Sequence, residues 1–389
     1  MELELKYGCN PHQKRARLSM EGRDFPFRLL NGTPGYINIL DLFGAWQLAR
    51  ELKEATGLPG AASFKHVSPA GAAVAGPLSV DFRKAQMIPE GELSPVAQAY
   101  ARARGGDRMC SFGDVAAVSE VVDASLAQLL AREVSDAMIA PGYEPAALEI
   151  LKKKAQGRYL VVEADPSYEP PDIESRDVFG MTLAQERNKA KVTMDLLKDV
   201  TSTRKEIPPE VARTLLVATV ALKYTQSNSV CVACDGQVIG MGAGQQSRVH
   251  CTRLACGKAD KWMLQHHPKI LALPFKEGLK RPEMTNAVDQ LLLWDDLSDH
   301  EKKVLSTSFT RDPEPLSREE RAAWISRFEG VVLSSDAFIP FRDNIDRASR
   351  SNVKYVVHAG GSVRDAEVAA AADEYGMVLV RSGLRCFLH

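Results

Sequence analysis

Apolar and polar positions along this chain follow helix and strand periods in turn. The stretch NILDLFGAWQLARELKEATGLPG places Leu42, Ala45, Trp46, Ala49 and Leu52 on one helical face. It predicts a helix capped by Asn38, with Asp41 in the favourable first turn and Gly57 and Pro59 as the stop. AASF then opens a short strand that should end at Lys65-His66. Helix SLAQLLAREV, strand DAMIA, helix PAALEILKKKA and strand RYLVVEA follow, and the polar, Pro-rich DPSYEPPD reads as a connector. The second half resumes the alternation. SNSVCVACDGQVIGMGAG alternates like a strand pair that turns at Asp235-Gly236, a hairpin signal. QQSRVHCTRLACGKADKWMLQHH predicts a helix, and residues 295–320 are polar. The tail reads strand GVVLSS, helix DNIDRASR, strand VKYVVHA, loop GGS, helix RDAEVAAAADEYG and strand MVLVR.

Such alternation favours an α/β fold with layered sheets. Two segments also look alike, one from Ser135 (SDAMIAPGYEPAALEILKKKAQGRYLVV) and one from Ser335 (SDAFIPFRDNIDRASRSNVKYVV). Both read Ser-Asp-Ala-x-Ile, then Pro, a helix and a Tyr-led apolar strand. A duplicated α/β lobe explains this, and so does chance. The 389 residues suffice for two to three ordinary domains, or for one built from two lobes. A net charge of −1 offers no steering field for nucleic acid or an anionic membrane, so an anionic ligand must be met by a local cluster. No apolar run reaches the roughly 18 residues of a membrane span, and no signal peptide is expected. Seven scattered cysteines suit a reducing cytosol better than a disulfide framework.

Four features invite chemistry. Lys65 and His66 are adjacent in SFKHVSPAGAA. The plain reading is a lysine snorkelling off a strand end beside a hydrogen-bonded histidine. The functional reading is that the ammonium disfavours imidazolium, which leaves His66 neutral and fit to be a base. In a straight strand the two side chains face apart, so a shared site needs a turn, which Pro69 and Gly71 would supply. GMGAGQQSR resembles a phosphate loop, but its spacing fails G-x-G-x-x-G. What remains is a helix N-terminus beside Arg248, or merely a tight turn. LRCFLH, carrying Arg385, Phe387 and His389, is either frayed or folded back into a pocket. Cys231 and Cys234 have metal-like spacing without a second CxxC or a His-x-Glu, so strand packing accounts for them.

YGCNPHQ, SFKHVSPAGAA, FGD, REVSDAMIAPGYE, KYTQSNSV, IGMGAGQQSRVHCTRLA, SSDAFIPFRDN and LRCFLH together, in this order, resemble the AICAR transformylase family. The resemblance runs from Tyr7 to His389. It implies an α/β fold of two cytidine-deaminase-like lobes, residues 1–195 and 196–389, without catalytic zinc. It implies a cytoplasmic homodimer with active sites at the subunit interface and N10-formyltetrahydrofolate as co-substrate. The implied reaction is formyl transfer from that folate to the 5-amino group of AICAR. Because the first motif lies close to Met1, a stand-alone transformylase lacking the inosinate cyclohydrolase domain is expected.

The resemblance assigns roles residue by residue. His66 is the base, Lys65 stabilises the transition state and aids proton transfer, and Asn228 orients His66 and the formyl oxygen. Lys6, Tyr7, Gly113, Asp136, Arg248, Phe338, Arg385, Phe387 and His389 match AICAR contacts. Met109, Phe112, Val249, Asn286, Pro340, Asp343, Ser362 and Val363 match the folate side. Thr225, Ser227, Ser229 and Asp336 match oxygen ligands of a buried potassium, although hydroxyls in YTQSNS equally suit turn hydrogen bonds. Three positions depart from the family pattern. Lys6 replaces an arginine and loses its bidentate fork, Ile339 replaces a phenylalanine, and Leu388 replaces a histidine. Formate with ATP is an alternative formyl source, but nothing resembles an ATP-grasp or P-loop site. Two rival classes are a catalytically dead ligand-binding homologue and a deaminase-like hydrolase. Intact Lys65, His66 and Asn228 weigh against the first, and the missing metal motif against the second.

Overall fold

The computed structural model covers residues 1–389. Strands β1 (Glu2–Glu4) and β2 (Arg17–Ser19) pair as a small ribbon. β3 (Phe27–Asn31) leads into helix α1 (Tyr36–Thr56) and then the hairpin of β4 (Gly60–Lys65) and β5 (Ser68–Val74). Helices α2 (Val80–Ala85) and α3 (Pro95–Gly105), strand β6 (Asp114–Val118), helix α4 (Ala124–Ala131), strand β7 (Ser135–Ala140), helix α5 (Pro145–Lys153) and strand β8 (Leu160–Ala164) complete the first half. A separate two-stranded ribbon, β9 (Ile173–Val178) with β10 (Met181–Glu186), precedes helix α6 (Pro209–Lys223). The second half continues with the hairpin of β11 (Val230–Cys234) and β12 (Gln237–Gly242), helix α7 (Arg248–Gln265), and strands β13 (Val332–Ser335), β14 (Tyr355–His358) and β15 (Val378–Arg381).

Eleven strands form one sheet in the order β15-β14-β13-β11-β12-β5-β4-β6-β7-β8-β3. Outward from the central β12–β5 pair the two halves repeat one pairing pattern. Each begins with a hairpin, adds an antiparallel strand, and continues with two parallel strands. Helices α1 and α6 cover one face and share a single core, with Leu42, Leu48 and Leu52 buried together with Leu215, Leu216 and Val220. The other face is covered by α3, α4 and α5 around Tyr100, Leu126 and Leu151 in the first half, and by α7 with Trp262 and Met263 in the second. The Ser135 and Ser335 segments, however, are not equivalent within this repeat. Ser135 begins β7, whereas Ser335 ends β13, whose counterpart by pairing order is β6.

The first long helix starts one turn before its expected cap. Gly35 is the capping residue, and Asn38 lies inside the helix, its Oδ1 accepting from the Gly35 N–H at 2.9 Å. The stop at Gly57 is as expected, in the left-handed region with φ 73°. The polar segment after residue 295 holds two short helices, Asp299–Ser306 and Arg318–Ile325, each opened by a Ser-x-x-Glu box.

Two glycines of GMGAGQQSR belong to this packing and not to a loop. Gly240 and Gly242 lie in β12, where a Cβ would run into the carbonyl oxygens of Ala255 and Cys251 on α7. Gly71 of β5 meets the Ala103 carbonyl of α3 in the same way. Each half therefore presses one helix backbone onto the second strand of its hairpin. Gly240→Ala should destabilise the fold by about 3 kcal/mol, because backbone and not a flexible side chain must give way. Gly257→Ala, in α7 with open space at its Cβ, should instead be neutral or stabilise by roughly 0.5–1 kcal/mol. Urea denaturation of both variants measures the contrast.

Candidate active site

The β4–β5 hairpin turns on His66 and Val67 themselves, with φ of 54° and 60°. Pro69 and Gly71, expected to make the turn, lie inside β5. Two-residue hairpin turns of type I′ take positive φ at both positions because that twist matches the strands, and glycine, asparagine or aspartate normally occupies them. Here the turn is held from outside. Buried Asp41 on α1 accepts from the Val67 N–H at 2.7 Å and from the His66 N–H at 3.3 Å, through separate oxygens. Burial pushes its carboxyl up, against the two N–H groups. His66 is exposed at the tip, and the Lys65 ammonium donates to the Phe112 carbonyl at 2.5 Å.

Beside this tip runs the loop of Met109, Phe112 and Gly113. Gly113 has φ 77°, and the Asp136 carboxylate lies against it, 3.6 Å from where a Cβ would be. Asp136 is exposed at the surface, yet partial desolvation and neighbouring Asp114 push its carboxyl up, while Lys65, Lys154 and Lys6 pull it down. The loop rests on buried charges that sequence pattern did not single out. Asp114 accepts from Ser63 Oγ at 2.6 Å and Tyr100 OH at 3.0 Å and pairs with Arg104 at 2.9 Å. Arg104 and Arg108 both pair with Glu133, which also reaches Arg281 at 3.0 Å. The Arg104 guanidinium sits 5.8 Å from the Phe112 ring.

The second half meets the tip through the loop before β11. The Gln226 N–H donates to Ser68 Oγ at 3.3 Å, tying this loop to the residue after the turn. Asn228 Nδ2 donates to the Gln245 carbonyl at 3.0 Å, and its Oδ1 accepts from Arg248 at 2.8 Å. Arg248, the first residue of α7 and buried, also donates to the Ser229 carbonyl at 2.8 Å and pairs with Asp336. The chain end is docked here and not frayed. Ser227 N–H donates to the Leu388 carbonyl at 3.0 Å, Leu388 N–H donates to Ser227 Oγ at 3.1 Å, and Cys386 is buried with its N–H on the Asp336 carbonyl. Arg385 stacks on Phe387, whose ring meets that of His389. Leu388 contributes through its backbone, so the docking does not depend on its side chain.

The cation set converges in part. Asp336 Oδ2 accepts from Ser227 Oγ, Ser229 N–H and Ser229 Oγ at 2.7, 2.8 and 3.0 Å. Thr225 Oγ1 instead donates back to the Ala221 carbonyl at 2.7 Å, and Arg248 already neutralises Asp336. These hydroxyl protons thus serve hydrogen bonds around the loop, as turn hydroxyls do. The Cys231 and Cys234 thiols sit in or against different cores, and burial pushes Cys234 up to about 12.

The remaining folate-side positions are dispersed. Asn286 is exposed on helix Arg281–Leu292, Val249 is half-buried on α7, and Asp343 opens helix Asp343–Arg350. Phe338 is exposed beside half-buried Pro340, while Ser362 and fully exposed Val363 precede helix Asp365–Glu374. No hydrogen bond joins them to Lys65, His66 or Asn228. Ile339 is buried in the second-half core, where its side chain belongs to the packing and not to an exposed wall. Tyr7 and Lys6 are exposed, tied through their backbones to Tyr36 and Pro34. A cavity of about 500 Å³ lined by Phe43, Trp46, Arg50, Lys223 and Tyr224 contains none of these candidates.

An eleven-stranded mixed sheet with paired hairpins and a Lys-His tip defines an α/β protein with its candidate chemistry at the seam of two halves. The chain belongs to the AICARFT/IMPCHase bienzyme family, which matches residues 1–258. It is similar to the bifunctional purine biosynthesis protein PurH of Roseobacter denitrificans, 31% identical over 99% of this chain and 59% of that protein. PurH of Elusimicrobium minutum is 28% identical over 99% of this chain and 58% of its own length. The chain thus spans about three-fifths of the curated relatives it matches. No helix is long and apolar enough to cross a membrane.

Asp136 yields a pH-dependent expectation. Its carboxyl titrates above the ordinary value in the folded protein, so the unfolded chain releases that proton first as pH rises. Ionised Asp136 therefore costs stability at neutral pH. Asp136→Asn should raise Tm at pH 7, and the gain should vanish below about pH 4, where the carboxyl is protonated in both states. Thermal melts across pH 3.5–7 check both the sign and the window.

Proposed function

We propose that this chain transfers a formyl group from N10-formyltetrahydrofolate to the 5-amino group of AICAR, giving formyl-AICAR in purine biosynthesis. The observation that carries this reading is the Lys65-His66 tip tied through Ser68 and Gln226 to the Asn228 loop and the docked tail. The AICAR amine is conjugated with its ring and carboxamide and is a poor nucleophile. As its nitrogen attacks the formyl carbon, His66 takes the amine proton. Lys65 faces the oxyanion and helps carry a proton to N10 of the folate as the C–N10 bond breaks. Asn228, held by Arg248 and Gln245, orients the formyl oxygen. Arg248 keeps its Nε–H and one Nη2–H free of protein acceptors for the nucleotide, and Arg385, Lys6 and Tyr7 are further proposed contacts.

The repeated pairing order supports two cytidine-deaminase-like lobes, residues 1–195 and 196–389. The exposed β9–β10 ribbon supports a homodimer. Every residue of both strands is exposed, including Ile173, Met181 and Leu183, as is Phe179 at 98% between them. A two-stranded ribbon is marginal alone in water, and a second copy would cover it. Arg176 of this ribbon also donates to the His389 carbonyl at 2.8 Å, which would put that interface beside the tail. The proposed setting is the cytoplasm.

The test is purified protein with AICAR and N10-formyltetrahydrofolate, followed by tetrahydrofolate release. Formyl-AICAR should accumulate. Inosinate would add the cyclohydrolase step to this chain, and no turnover by folded protein would favour a catalytically dead homologue. His66→Ala should lower kcat by about 100-fold with AICAR binding largely retained. Lys65→Arg should rescue little if Lys65 moves a proton, because guanidinium holds its own. A near-wild-type rate for His66→Ala at every pH would remove His66 from the mechanism.

A further inference from the structure

We propose that Asp41 is a positioning residue for this reaction, holding the Lys65-His66 tip in its reactive shape through the backbone; the inference rests on the formyl-transfer reading. The turn residues His66 and Val67 both sit at positive φ, a conformation that a β-branched residue such as Val67 resists. Asp41 supplies one oxygen to each turn N–H, from a buried position on α1 that the core fixes. Only a carboxylate can do this. The side-chain amide of an asparagine offers one acceptor and would aim its own N–H₂ at a turn N–H.

The second half contains an internal control. Its hairpin also turns on two residues at positive φ, Asp235 and Gly236 at 48° and 69°. From α6, the counterpart of α1, Thr214 Oγ1 accepts from the Gly236 N–H at 3.0 Å. The same position in the repeat thus receives one neutral acceptor where the turn sequence is Asp-Gly. It receives a buried, bidentate carboxylate where the turn is His-Val. The costlier device stands where the candidate base stands. Asp41 bonds neither the Lys65 ammonium nor the His66 ring, so its hydrogen bonds act through the main chain, while its charge also faces His66.

The experiment compares wild type, Asp41→Asn, Val67→Gly and the double variant with AICAR and N10-formyltetrahydrofolate, with circular dichroism and Tm as folding checks. Asp41→Asn should lose about 10- to 100-fold in kcat with a much smaller change in AICAR KM, the scale of a misplaced catalytic group. Val67→Gly, which takes positive φ without strain, should restore most of that loss in the double variant. An inactive wild type would defeat the formyl-transfer reading itself. With wild type active, an unchanged kcat for Asp41→Asn would overturn the positioning role. So would a loss that Val67→Gly leaves untouched, or one accompanied by a displaced pH–rate profile, which would assign Asp41 a direct charge role. If Asp41→Asn alone does not fold, the double variant decides: restored kcat supports positioning, and folded protein with lost kcat overturns it.

Discussion

The antiparallel meeting of β5 and β12 is the constraint on which the rest of the molecule depends. It joins two five-strand units and the edge strand β3 into one sheet, with Ala73 opposite Gln237. Regular strand pairing across this seam is thin, so other groups reinforce it. Val74 N–H donates to the Gly236 carbonyl at 3.1 Å, Gln237 Nε2 donates to the Arg102 carbonyl at 2.7 Å, and Trp262 Nε1 donates to the Gly105 carbonyl at 2.9 Å. Gly106 has no room for a Cβ against the Val238 carbonyl. Because the pairing is antiparallel, β12 runs toward the Lys65-Ser68 end of the first hairpin. The loop after β12 therefore delivers Gln245 and Arg248 beside the tip. The site's composition from both halves is a consequence of the seam.

Carboxylates around the site are answered in different ways, and the differences sort their tasks. Asp336 faces a guanidinium, two hydroxyls and a main-chain N–H, and it locks the Asn228 loop to the docked tail. Asp114 faces a guanidinium and two hydroxyls and locks the loop under Phe112. Breaking either would strand a charge away from water, the costly kind of loss. Buried Asp41 accepts hydrogen bonds only from main-chain N–H groups, with His66 facing its charge, and exposed Asp136 has Asp114 beside it as well as the nearby lysines. These two have no guanidinium bonded to them, and they are also the two that flank Lys65 and His66.

Much of the alternation was legible because α/β packing writes its period into the chain. The Asp-Gly hairpin, helix Asp343–Arg350 and the tail strands fell where pattern placed them. Ser298-x-x-Glu301 and Ser317-x-x-Glu320 were equally readable as helix starts, yet the stretch stood out only as polar. Arg104 and Glu133 were not readable. A charged side chain on an amphipathic helix looks the same whether it meets water or a buried partner. A docked tail was one of two readings of LRCFLH, but its anchoring through Cys386 and Leu388 was not readable, since backbone hydrogen bonds leave no residue signature. The Lys-His pair stood out, but its turn was assigned to Pro69 and Gly71, because nothing local in His66-Val67 favours positive φ. The cause lies on α1, far away in sequence.

The repeated pairing order also explains why only one hairpin tip is a candidate for chemistry. The seam's antiparallel pairing sends the two hairpins in opposite directions, so their tips lie toward opposite ends of the sheet. At the second tip, Asp235 and Gly236 suit the turn by themselves, and the Asp235 side chain pairs with Arg102 in the seam. At the first, two residues poorly suited to the turn are placed where the Asn228 loop and the chain end converge. A fold that builds the same turn twice, once from residues that suit it and once from residues that must be held, separates what the architecture requires from what the site requires. The sheet needs a two-residue turn, but it does not need histidine there.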